Sequence, residues 1–94
     1  MVSEKKAYQL GMMIDLTPNP KQIHEALDMY HIVSRDNNWD SIRNNYSLMI
    51  DCIYIIGKKY KVGITIESMI VLTRKLYGKS TQPKPHLWRN KYGY

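Results

Sequence analysis

Nine lysines and arginines fall among residues 58–94 against one acid, Glu67, a net +8, while residues 1–57 carry five bases and seven acids, a net −2. Cations gathered in one part of a chain neutralise phosphates and release condensed counterions, so this separation points to a polyanion as partner. Lys58, Lys59, Lys61, Arg74, Lys75 and Lys79 are the candidate phosphate contacts. Lys84, His86, Trp88, Arg89, Lys91 and Tyr92 then interleave cations with flat rings, a pattern suited to a strand's phosphates and unstacked bases or to a groove-inserting arm. The competing reading is that charged helix faces are simply solvated and that the terminal tyrosines and tryptophan dock back on the core.

Other constellations carry weaker chemistry. His24, Asp28 and His31 stand at i, i+4 and i+7, so one helix face could offer two imidazoles and a carboxylate to a metal, but the face opposite an apolar stripe is polar in any case. Gly78-Lys79-Ser80 ends like a phosphate loop, yet Thr73 stands where the first glycine belongs, and a helix rather than a strand leads into it. His31, Ser34 and Asp36 have the residue types of a nucleophilic triad without a nucleophile turn. Cys52, inside an apolar run, reads as a packing residue. No catalytic, metal or cofactor site is assigned, and the chain is read as non-enzymatic.

Length and composition limit the alternatives. A chain of 94 residues has room for one core, so binding, with oligomerisation to enlarge the buried area, is favoured over a deep catalytic cleft. One cysteine excludes an intramolecular disulfide framework and fits a cytoplasmic or other reducing intracellular compartment. The apolar run from Leu48 to Ile56 is interrupted by Asp51 and is about half the roughly 20 residues a membrane span needs, and no signal peptide is visible.

The elements that must position these residues are helical. Ser3, Glu4 and the spacing of Ala7, Leu10, Met13 and Ile14 predict a short helix over 4–15, broken by Thr17-Pro18-Asn19-Pro20. Asn19 as N-cap, Pro20 at the first helical position and Gln22 start a second helix whose stripe is Ile23, Ala26, Leu27, Tyr30 and Val33, ending near Ser34. A third is expected from Asn38, with Trp39, Ile42, Tyr46, Met49, Ile53 and Ile56 or Tyr60 at helical spacing. Residues 52–66 are also dense in Ile, Val, Tyr and Thr around Gly57-Lys58-Lys59, which is how a β-hairpin looks, and the choice stays open. Thr65 caps a fourth helix that Glu67 favours at its start and Gly78 ends. Residues 79–94 have two prolines and no periodicity, and are expected to be an extended or partly disordered tail.

The run from Ile55 to Leu76 resembles a helix-turn-helix segment, with Gly57, Gly63, Ile64, Thr65, Met69 and Leu72 in the small, turn, apolar and capping places of that family. The turn is about two residues longer than the usual pattern. The resemblance implies that the helix after Thr65 enters a major groove with Ile66, Glu67 and Ser68 near bases. An isoleucine and a glutamate are poor base readers, so backbone rather than sequence-specific binding is expected.

The expectation is thus a mainly α protein: a small bundle of about four helices over 1–78 and an extended basic aromatic tail over 79–94. It would bind nucleic acid, DNA in preference to RNA, through residues 58–94. The alternative is a helical homo-oligomeric interaction or inhibitor module that grips a protein partner or sequesters a small phosphorylated ligand.

Overall fold

The computed structural model describes residues 20–36, 45–61 and 63–94. Three α-helices, α1 (Pro20–Ser34), α2 (Asn45–Lys59) and α3 (Ile66–Tyr77), are followed by two 3₁₀ turns, Pro85–Leu87 and Arg89–Tyr92. No strand occurs among the described residues, and Cys52 to Lys59 lies wholly in α2, so this stretch is helical rather than the first arm of a hairpin. The expected first helix, over 4–15, and the part of α2 expected before Asn45 lie outside the described residues.

In α1 the apolar side chains recur every three or four residues. Ile23, Ala26, Leu27, Tyr30 and Val33 are all buried, joined by Met29. The partner of this stripe is α2, whose packing is of another kind. Leu48, Met49, Ile50, Cys52, Ile53, Ile55 and Ile56 are all buried. A helix apolar nearly all round sits at the centre of a fold rather than on its flank. The consequence is that α2 needs cover on more sides than α1 can supply.

Part of that cover is the C-terminal segment. Trp88 is 4% exposed and belongs to the core, and Tyr92 and Tyr94 pack against it. Asp51 on α2, fully buried, receives the main-chain N–H of Lys84 on Oδ1 and the indole N–H of Trp88 on Oδ2, each at 2.8 Å. The main-chain N–H of Thr81 donates to Thr73 Oγ1 on α3 at 2.9 Å, fastening the segment to a second helix. Residues 79–94 are therefore a docked strap and not the free extended tail expected from the sequence. Two prolines and an absence of periodicity excluded a long helix there, but 3₁₀ turns and side-chain acceptors on other helices order the chain without one.

The start and end of α3 are fixed locally. Thr65 Oγ1 accepts from the Ser68 N–H and Ser68 Oγ accepts from the Thr65 N–H, both at 3.0 Å, a reciprocal capping box. Gly78, at φ 73°, ends the helix and donates its N–H to the Arg74 carbonyl at 2.8 Å. After α2 the chain turns at Tyr60 and Lys61, and the buried Ile64 side chain lies over Gly57.

Candidate nucleic-acid interface

Four of the nine candidate cations sit in last turns, Lys58 and Lys59 on α2 and Arg74 and Lys75 on α3. The carbonyl ends of helices favour positive charge, so local helix electrostatics already explains part of the clustering. All four side chains are exposed. Lys61 follows on the turn, exposed and in the left-handed region at φ 57°. Lys79 and Lys84 are exposed on the strap, as is Lys91, whose ammonium lies 5.7 Å from the Tyr92 ring centroid.

Not all of this charge is available to a partner. Lys59 is hydrogen-bonded to Oε1 of Glu25 on α1, and the Tyr60 hydroxyl donates to Oε2 at 2.5 Å. Both bonds favour the ionised carboxylate, so Glu25 is held below the ordinary carboxylate value, chiefly by Lys59 and then by Tyr60. The same contact raises the pKa of Lys59 and of the Tyr60 phenol, each mainly through its bond to Glu25. Arg89 is half-buried and spends Nε and Nη2 on the main-chain oxygen of Tyr94, at 3.1 and 2.6 Å. Lys58 is exposed, and its ammonium stands 5.6 Å from the Tyr54 ring centroid.

The aromatic side chains expected to meet bases are partly taken up by the fold. Trp88 has its ring in the core and its indole N–H on Asp51, and Tyr92, half-buried, donates its hydroxyl to Asp36 Oδ2 at 2.5 Å. The rings of Tyr92 and Tyr94 meet that of Trp88 edge-on, with centroids 6.3 and 6.2 Å away. Burial closes the Trp88 ring to base stacking, while Tyr92 and Tyr94 pack half-buried against the core. The early positions of α3 offer no base readers either. Ile66 is half-buried, the Ser68 hydroxyl is occupied by the capping box, and exposed Glu67 repels phosphate.

The remaining motifs are ordinary in context. Gly78-Lys79-Ser80 follows a helix end and leads into irregular chain, which is not a phosphate-loop setting. His24 and Asp28 are exposed on α1, while the His31 ring packs edge-on to Tyr30 at 5.4 Å. No three His, Cys, Asp or Glu side chains gather to hold a metal among the described residues. Burial, reinforced by neighbouring Asp51, pushes the Cys52 thiol well above its usual range, so it is a packing residue rather than a nucleophile. Among the described residues no helix is long and apolar enough to cross a membrane.

One feature escaped the sequence reading. A cleft of about 520 Å³ brings Glu25, Asp28, Lys58, Lys59 and Arg89 together over Met29, Ile32, Ile55 and Ile56, with Gly93 and Tyr94 as a wall. Its signal in the sequence was faint: Ile32 is an apolar residue on the polar side of α1, and it is 53% exposed. No protein-family model, curated protein or solved structure matches the chain.

Proposed function

We propose that the chain binds nucleic acid, DNA in preference to RNA, by phosphate contacts from its C-terminal third and without enzymatic chemistry. The observation that carries the reading is the exposure of Lys58, Lys61, Arg74, Lys75, Lys79, Lys84 and Lys91 in a stretch whose one acid is Glu67. The order helix, turn, capped helix, with Ile64 closing on Gly57, supports treating α2–α3 as a helix-turn-helix-like unit. Its six-residue turn is longer than the three or four residues usual for that motif, so α3 is assigned to backbone contact and not to base readout.

The test is a mobility-shift titration of the full chain on unrelated duplexes and single strands at several salt concentrations. Binding should weaken steeply with salt. Arg74→Ala with Lys75→Ala should lower affinity alike for every sequence and reduce the logarithmic salt slope by about two. Absent or salt-insensitive binding overturns the proposal. A loss confined to one sequence would instead mean base readout.

A second reading, a homo-oligomer or partner-binding module, draws support from the exposure of Ile32, Tyr60, Val71 and Leu87. Scattered apolar residues are common on monomers, which places this reading second. A stable oligomer by light scattering together with no nucleic-acid binding would move it first.

A further inference from the structure

Given the nucleic-acid binding proposed above, on which this rests, we propose that the outward edge of the strap, Ser80, Gln82, Lys84 and His86, is a preformed rail that follows the phosphates of one strand. Burial alternates residue by residue along this stretch. Thr81, Pro83 and Pro85 are buried, and the four residues between and beside them are exposed. The prolines can be buried without cost in donors because they have no N–H, and they bar Gln82 and Lys84, which precede them, from helical backbone. Lys84 accordingly stands at φ −136° and ψ 58°. The main-chain N–H groups of Thr81 and Lys84 have acceptors on the helices, Thr73 Oγ1 and Asp51 Oδ1. The inner side of the strap is thus closed, and its polar side chains project with a two-residue period.

That period sets a length. An extended chain repeats every two residues at about 6–7 Å, close to the separation of successive phosphates in one strand. A hydroxyl, an amide, an ammonium and an imidazole can each donate to a phosphate oxygen. Residues 68–94 contain no Asp or Glu, and exposed Arg74, Lys75 and Lys79 lead into the edge. Because the buried anchors hold the strap in place, its side chains meet the strand without the ordering cost of a free tail.

The experiment compares equal charge changes on and off the edge in the full chain, by mobility-shift titration on a random-sequence duplex. Asn90, exposed on the second 3₁₀ turn, is the control position. Gln82→Lys should tighten binding and steepen the logarithmic salt slope by about one, and Asn90→Lys should change the slope by much less. His86→Glu should weaken binding by about tenfold, and Asn90→Glu by less than half as many fold. In nuclear magnetic resonance spectra, duplex should shift the main-chain amides of Ser80, Gln82, Lys84 and His86 while the Trp88 indole N–H keeps its resonance, because the strap stays seated on Asp51. Equal effects at the edge and at Asn90, or an indole resonance that moves to its solvent-exposed position, overturn the rail and leave phosphate binding by the C-terminal third in place. Absence of binding by the unaltered chain overturns both.

Discussion

The indole N–H of Trp88 reaches Oδ2 of Asp51 at 2.8 Å across 37 positions of sequence, and both groups are buried. A carboxylate taken out of water needs donors, and a buried indole N–H needs an acceptor, so each side chain answers a need the other creates. Lys84 supplies the second donor through its main chain, which fixes the strap's path on both sides of Pro85.

Asp51→Ala leaves the buried Trp88 indole N–H and the part-buried Lys84 main-chain N–H without this acceptor and should cost about 2–4 kcal/mol in urea unfolding. Asp51→Asn, which retains one acceptor, should cost less. A loss under about 0.5 kcal/mol for the alanine variant would mean that the strap is not held as described.

Removal of residues 79–94 should destabilise the rest of the chain, because it strips Trp88 from the core and uncovers α2. Trp88→Ala alone is expected to cost about 3–5 kcal/mol, the scale for deleting a large buried aromatic side chain. Truncation is accordingly a poor test of nucleic-acid binding, since lost affinity would mix lost charge with lost fold. Equal urea midpoints for the full and shortened chains would contradict this.

Gly57→Ala places a methyl 3.0 Å from Ile64 Cγ2. The gain in helix propensity, about 0.5–1 kcal/mol, is smaller than the roughly 1–3 kcal/mol of overpacking, so the variant should be less stable than the parent. In an Ile64→Ala background the same change should become neutral or stabilising. Additive effects in this double-mutant cycle would show that the two positions do not touch.

Glu25 titrates below its ordinary value of 4.5 because Lys59 and Tyr60 stabilise its ionised form. A carboxyl with a depressed folded pKa contributes stability that is present above 4.5 and lost as pH falls through the folded value. Side-chain carboxyl shifts from nuclear magnetic resonance should therefore give a midpoint under 4.5. Lys59→Gln should move that midpoint upward and leave the smaller effect of Tyr60. An unmoved midpoint would remove Lys59 as the principal cause.

What the sequence disclosed was local. The stripe of α1 and the Thr65 and Gly78 ends of α3 depend on neighbours three or four positions away, so their spacing could be read directly. The docking of 79–94 depends on Asp51 and Thr73, far off in the chain, and no periodicity records such a pairing. Asp51 was visible as a lone acid in an apolar run, which is the mark of a buried carboxylate awaiting donors, but the donors' identity was not. The charge imbalance was equally plain, whereas the assignment of Lys59 to Glu25 and of Arg89 to Tyr94 rests on contacts that only folding brings about.

With Trp39 replaced by Phe, the one remaining indole is the ring that the strap inserts. Its fluorescence then becomes a built-in optical gauge of whether the strap is seated. Blue-shifted emission would signal attachment, and a move to longer wavelength on adding DNA would reveal that binding peels the segment away from α2.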